Sequence, residues 1–331
     1  MSKKILILGA NSTGGAYAAY YFASLGYEVI ATSRSQQAHK SQLPYLFYEC
    51  PRVHYKVHSL NSSIADHLQL FEESKPSCII NFASQSMVGQ SWISPTDWMQ
   101  TNCVGQTSLL EALRQYKELD LYFHFSTPEV YGSTTGWVDE TCIYNPTTPY
   151  ASSRMLGDVN TKIWSHHYSI PTVLTRAANI YSEGQHLYRI IPRTMLAASG
   201  IDPLVIDGNG ESIRSFIHMS DVCDFLYAVI QSPPPSIYTE YHLSPRESTS
   251  IIDLVKKIFS MFAVPVDSPS YIRFGPDRPG KDMYYLLDSS KANNDYSWSP
   301  KISLDQGLDL VQKWFLSADL SSFPRSYSHK A

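Results

Sequence analysis

Long apolar runs are missing from this 331-residue sequence. The run nearest its start, Ile5-Leu6-Ile7-Leu8, breaks at once into Gly9-Ala10-Asn11-Ser12. It is too short for the apolar part of a signal peptide, and no later run reaches the roughly 20 residues of a membrane span. An excess of basic charge is also missing. The net charge of −4 excludes a net-basic surface for nucleic acid, while leaving room for a local basic pocket for phosphate. Cysteines are few, odd in number and widely spaced, at 50, 78, 103, 142 and 223, with no Cys-x-x-Cys pair. They read as reduced thiols of a cytoplasmic protein, and no metal site is expected. No repeat of fixed period is present.

What is there suits an ordinary packed interior. Apolar residues make up 43% of the chain and charged ones 17%, so disorder is not expected. The 23 tyrosines are read as core and interface packing. The length allows one large α/β domain and a smaller second one.

Short apolar segments bounded by turns mark strands at 4–8, 28–32, 53–57, 77–82, 121–125 and 172–175. Helical patterns lie between them, notably at 15–25, 101–117 and 150–168. This alternation predicts an α/β fold, a doubly wound parallel sheet of the Rossmann type. After about residue 180 the elements shorten, with a break at Pro233-Pro234-Pro235 and an amphipathic helix near 250–262. We therefore divide the chain into a dinucleotide-binding domain, 1–180, and a mainly substrate-binding lobe, 181–331. Some segments of that lobe are expected to return to the main domain. The Ser-rich tail from Ser317 is expected to be loose.

The turn Gly9-Ala10-Asn11-Ser12-Thr13-Gly14-Gly15 joins the first strand to the first helix. A structural strand–helix turn has this composition. So does a turn that brings backbone N–H groups against a pyrophosphate at a helix N-terminus, and the position favours the second reading. The second strand ends in Thr32-Ser33-Arg34-Ser35, with no acidic residue for a ribose 2′-hydroxyl. Arg34 is either a solvated charge or a partner for a 2′-phosphate, which tips the cofactor toward NADP over NAD.

Ser126-Thr127-Pro128-Glu129 follows the fifth strand, where ligands of open parallel sheets bind. Thr127 is suited to hold a sugar hydroxyl and Glu129 to abstract a proton. Tyr150 and Arg154 stand at i and i+4 on one helical face. A cation there lowers a phenol's pKa and makes tyrosinate a base; a plain surface contact gives the same spacing.

Taken in order, these segments resemble the extended short-chain dehydrogenases, and among them the nucleotide-sugar 4,6-dehydratases acting on dTDP-glucose or GDP-mannose. Further matches are Asn81-Phe82-Ala83-Ser84-Gln85-Ser86, Pro146-Thr147-Thr148-Pro149-Tyr150, Arg176-Ala177-Ala178-Asn179, Arg214-Ser215-Phe216 and Arg278-Pro279-Gly280-Lys281-Asp282. The resemblance implies a tightly bound NADP or NAD, with Gly9, Asn11, Ser12, Thr13, Gly15, Ser33, Arg34, Ser59, Leu60, Phe82, Ala83, Tyr150 and Arg154 around it. It implies a nucleotide-diphosphate sugar held by Ser86, Thr127, Asn179, Arg214 and Arg278, and a homodimer; Arg189, in Tyr188-Arg189-Ile190-Ile191-Pro192-Arg193, is a further candidate for the diphosphate or else a surface salt-bridge residue. Tyr150 would be the redox base, Thr127 its hydroxyl partner and Glu129 the base at carbon 5. Three positions depart from the family pattern: Ser12 stands for a glycine, Pro128 for an aspartate that protonates the leaving hydroxyl, and Arg154 for a lysine. With Pro128 in place, Glu129 would have to shuttle that proton as well. Rival readings are an epimerase or a uronate decarboxylase on the same scaffold, and a catalytically degenerate cofactor-binding protein. Glu129 argues against the epimerase, which needs no base at carbon 5.

Overall fold

A computed structural model describes residues 4–265, 271–277, 279–280, 282–321 and 323–327. Seven parallel strands form the central sheet. From one edge to the other they are Val53–Val57, Glu28–Ser33, Lys4–Leu8, Cys78–Asn81, Leu121–Ser126, Thr172–Ala177 and Tyr238–Leu243. The parallel, Rossmann-like fold expected from the strand–helix alternation is what the structure shows. The interior strands are buried on both faces, which is why they read as unbroken apolar runs rather than alternating ones. The last strand, Tyr238–Leu243, had no clear signal, because Glu240 and His242 interrupt its apolar pattern.

The chain leaves Lys4–Leu8 for one side of the sheet and returns through Cys78–Asn81 on the other. A crevice opens at such a switch point, beyond the C-terminal ends of the strands. Small paired strands from the second half of the chain stand over it. Asn179–Tyr181 pairs with Phe216–His218, Ile213–Arg214 with Thr249–Ser250, and Leu204–Asp207 with Ile272–Gly275. Their core gathers Leu187, Ile191, Leu254, Ile258, Leu308 and Trp314.

Two expectations are corrected. The helix expected over 101–117 is not uniform. A π-helical turn, Gln100–Gly105, precedes a regular helix, Gln106–Leu113. Such turns recur at functional sites, and this one aims Asn102 at the crevice wall. Asn102 bonds both backbone groups of Gln85, at 2.8 and 3.0 Å, and the Ser153 hydroxyl at 2.9 Å. The tail beyond Ser317 is not loose in its described residues. Phe323 is buried against Trp314 and Tyr327 reaches the crevice, because the tail carries aromatic anchors among its serines.

Candidate functional site

The crevice is a cleft of about 670 Å³. That lies within the range of small-molecule and cofactor sites. One end is formed by the glycine turn. Gly9 has φ +87°, and a Cβ there would sit 2.7 Å from the Ala83 nitrogen. A Cβ at Gly15 would come within 2.4 Å of the Gly9 carbonyl. Both positions therefore need glycine for the fold of the turn itself. Ser12 has φ −84° and needs none. Its hydroxyl donates to the Gly9 carbonyl at 2.7 Å and accepts the Gly15 N–H at 3.1 Å. The serine thus caps the first helix, Thr13–Ser24, and keeps its side chain tucked into the turn. Asn11 ties the turn to the next loop through Ser35, Gln36 and Ala38.

Around this end the cleft is lined by Asn11, Ser12, Thr13, Ser33, Arg34, Ser59, Leu60, Phe82 and Ala83. All were expected at a cofactor. Gly15 lies behind the lining, as a packing position. Phe82 packs against Phe125 with the rings tilted by 34° and their centroids 4.5 Å apart, and both line the cleft. The cradle fits a dinucleotide: a glycine turn opens onto the cleft at a helix N-terminus, beside a strand end that carries Arg34.

The chemistry-bearing residues meet at the middle of the cleft. Thr127, 7% exposed, ends the strand Leu121–Ser126 and caps a short 3₁₀ turn, accepting the Glu129 N–H at 3.3 Å. Pro128 takes the first position of that turn, where a missing N–H costs nothing. Thr148 caps the helix Pro149–Tyr168 by accepting the Ala151 N–H at 3.1 Å. This brings Tyr150 into the first turn, facing Thr127. Thr127, Glu129 and Arg154 all stand near enough to the Tyr150 hydroxyl to shift its ionisation.

The direction of that shift corrects the sequence expectation. Burial pushes the Tyr150 phenol above its ordinary value. Arg154 and the Thr127 hydroxyl pull it down, as foreseen, but Glu129 pushes it up and burial outweighs the rest. Arg154 is 5% exposed, and its guanidinium donates to the Phe125 carbonyl. It lines the cleft while bracing helix against strand.

The lobe closes the far side. Arg189 donates to Ser86 Oγ at 3.0 Å, so two residues expected at the substrate stand together. Asn179 accepts from the Tyr285 hydroxyl at 3.0 Å and donates to the Ser215 carbonyl at 3.1 Å. Arg214 lies over the Tyr285 ring, 4.0 Å from its centre, and spends three donors on the carbonyls of Ile213, Asp282 and Met283. It is a built wall more than a free fork, since most of its donors already serve the protein. Arg278 lies outside the described residues. Gln85 and Asp282, which lie inside matched motifs but were given no role, line the cleft, and motif reading missed His186, Tyr285 and Tyr327, which line it too. His186 bonds the Asn11 carbonyl at 3.1 Å and so latches lobe to turn. None of the three missed residues carries a local spacing signal; only the fold brings them here.

A glycine turn at the switch point, with threonine and glutamate beyond the strand Leu121–Ser126 and tyrosine in the first turn of the helix Pro149–Tyr168, defines an extended short-chain dehydrogenase. More narrowly, the chain belongs to the GDP-mannose 4,6 dehydratase family, whose model matches residues 6–311. It is 30% identical over 263 residues to a dTDP-glucose 4,6-dehydratase of Xanthomonas campestris, covering 75% of each chain. The fold matches that of DesIV, a dTDP-glucose 4,6-dehydratase of Streptomyces venezuelae solved with NAD and TYD. There the TM-score is 0.85 at 22% identity, over 95% of this chain and 97% of that one. A UDP-glucuronic acid 4-epimerase of Bacillus cereus, in complex with UDP-glucuronic acid and NAD, gives 0.83 at 22% identity over 95% and 99%.

Proposed function

We propose that the protein is a nucleotide-sugar 4,6-dehydratase, converting an NDP-hexose to its 4-keto-6-deoxy form. The observation that carries this is the shared cleft of Tyr150, Thr127 and Glu129, with the phenol and the carboxylate close enough to perturb each other. A bound nicotinamide supplies hydride acceptance from carbon 4 and hydride return to carbon 6. The chain's own residues do the rest. Tyr150 takes the proton of the 4-hydroxyl while Thr127 holds its oxygen. The 4-keto group acidifies carbon 5, and Glu129 removes that proton. Pro128 has no proton to give, so the same Glu129 carboxyl delivers one to the departing 6-hydroxyl. Carbon 5 regains a proton from water at the hydride return, and Tyr150 gives its own proton back to water, so the net change is the loss of one water. Arg189, Ser86, Asn179 and Arg214 are assigned to the substrate, with Arg278 of the same motif set, the guanidiniums suiting its diphosphate.

Gly9, Asn11, Ser12, Thr13, Gly15, Ser33, Arg34, Ser59, Leu60, Phe82, Ala83, Tyr150 and Arg154 are assigned to the dinucleotide. NADP is favoured over NAD because Arg34, not a carboxylate, follows the second strand at the cleft. The division at about residue 180 is retained, with residues 181–331 forming mainly the substrate lobe. We further propose a homodimer. Leu156, Val159 and Ile163 form an exposed apolar stripe on the helix Pro149–Tyr168, and the exposed Val104 lies on the neighbouring π turn. A cytoplasmic location agrees with five cysteines that form no disulfide, and no described helix is long and apolar enough to cross a membrane. An epimerase is the second reading. It shares the fold and Tyr150 but has no use for Glu129.

The test is incubation with dTDP-, GDP-, UDP-, CDP- and ADP-hexoses, followed by product mass. A product lighter by one water supports the dehydratase. An isomer of unchanged mass means epimerisation, loss of carbon dioxide from a uronate means decarboxylation, and no product from any sugar means a binding protein.

A further inference from the structure

Tyr327 belongs to no motif of the site, yet it stands at the mouth of the cleft. Its tail leaves the long helix Leu304–Ser317, which is fixed to the other half of the molecule where Trp314 donates to the Ser41 carbonyl at 2.9 Å. Phe323, 5% exposed, packs against Trp314 at 5.8 Å between centroids. Arg325 pairs with Asp202 at 2.9 Å. These two contacts bring residues 323–327 across the lobe to the cleft. There the Tyr327 hydroxyl donates to Gln85 Oε1 at 3.1 Å, and its ring meets Tyr188 edge to face at 5.5 Å. Gln85 belongs to the sheet half and Tyr188 to the lobe, so one side chain bridges the two walls. The Gln85 backbone is itself held by Asn102 on both sides, which makes it a fixed anchor.

The charges around this phenol point to a ligand-facing place. Arg34, from the second strand's end, and Arg189, beside Ser86, both lie near enough to pull the Tyr327 phenol down against its burial. One residue of the tail thus lies within electrostatic reach of the cation assigned to the adenosine ribose and of the cation assigned to the substrate diphosphate.

We propose that Tyr327 is a clamp residue of the cofactor site: the tail straps the cleft shut over the adenosine half of the dinucleotide and holds it between turnovers. This rests on the dinucleotide-binding reading given above and adds a residue to it. The bridge spans sheet and lobe, so a ligand beneath it leaves only when the tail swings away. The ring supplies contact area, and the hydroxyl supplies the latch to Gln85.

The experiment compares full-length wild type with Tyr327→Ala and Tyr327→Phe. Release of NADPH and of NADH is followed by stopped-flow fluorescence, alongside thermal melting of the cofactor-free proteins. Phe323 and Arg325 keep their contacts in both variants. The clamp predicts that Tyr327→Ala speeds release at least ten-fold, that Tyr327→Phe gives an intermediate rate, and that cofactor-free melting is unchanged. Release within two-fold of wild type in both variants overturns it. So does slower release or tighter binding in Tyr327→Ala, which would mean that the tail blocks the site. If wild type and variants alike bind neither dinucleotide, the cofactor reading itself falls, and the clamp with it.

Discussion

Ser126 donates to Asp158 Oδ2 at 2.7 Å, which ties the end of the strand leading to Thr127 to the helix that carries Tyr150. The same carboxylate accepts from Arg176 at 2.8 Å and from His124 at 3.1 Å, all fully buried. Arg176 in turn reaches Tyr131, Tyr144 and Glu240. Beneath the cleft, then, lies a charged knot that sets the relative positions of phenol and carboxylate.

Asp158→Ala leaves a fully buried guanidinium without its main counter-charge. Breaking such a pair costs about 3–5 kcal/mol. Urea unfolding should show that loss, and cofactor binding should weaken as strand and helix part. Arg176 holds the Asp158 carboxyl down to about 2. With its folded value below its free one, the carboxyl stabilises the fold above its ordinary range near pH 4. It loses that contribution only as the pH falls toward 2.

Milder acid acts through buried neutral histidines. Burial holds His67 down to about 4 and His242 down to about 3, against 6.5 for the free side chain. The unfolded chain binds these protons first. Each histidine therefore removes stability as the pH drops below 6.5, at about 1.4 kcal/mol per pH unit. Loss continues to about pH 4 for His67 and about pH 3 for His242. Denaturation midpoints should fall steadily between pH 6.5 and 5, well before the Asp158 pair is touched. His242→Gln should flatten part of that slope.

Arg34→Ala tests the cofactor preference. A guanidinium facing a 2′-phosphate contributes a charge-assisted, bidentate contact. Its removal should weaken NADP binding about ten-fold or more, while NAD binding changes little. Equal losses for both cofactors would show that Arg34 serves the adenosine in general.

The fold was legible because buried parallel strands betray themselves as short apolar runs between glycine turns. The seventh strand hid behind Glu240 and His242, whose polarity is satisfied by Arg176 and Tyr131 at a distance in sequence. Thr127 and Glu129 were legible as ligand-facing from their place after a strand, whereas the Tyr150–Arg154 spacing stayed open until the family resemblance was added. The ionisation of Tyr150 was not legible, because burial depends on packing that no spacing reveals. Tyr327 was hidden for a similar reason: Trp314 and Phe323 anchor a tail whose local composition reads as loose.

The central claim is that Tyr150 and Glu129 act on one sugar ring in sequence, and single turnover of two variants tests it most directly. With cofactor-loaded enzyme and the NDP-hexose that wild type accepts, absorbance of reduced nicotinamide is followed and product mass is read at the end. Tyr150→Phe should fail at oxidation, with the absorbance rising at least about 100-fold more slowly than in wild type. Glu129→Gln should oxidise carbon 4 and then stall, so that reduced cofactor accumulates and no water is lost. Release of a dehydrated product by Glu129→Gln at the wild-type rate would contradict the account.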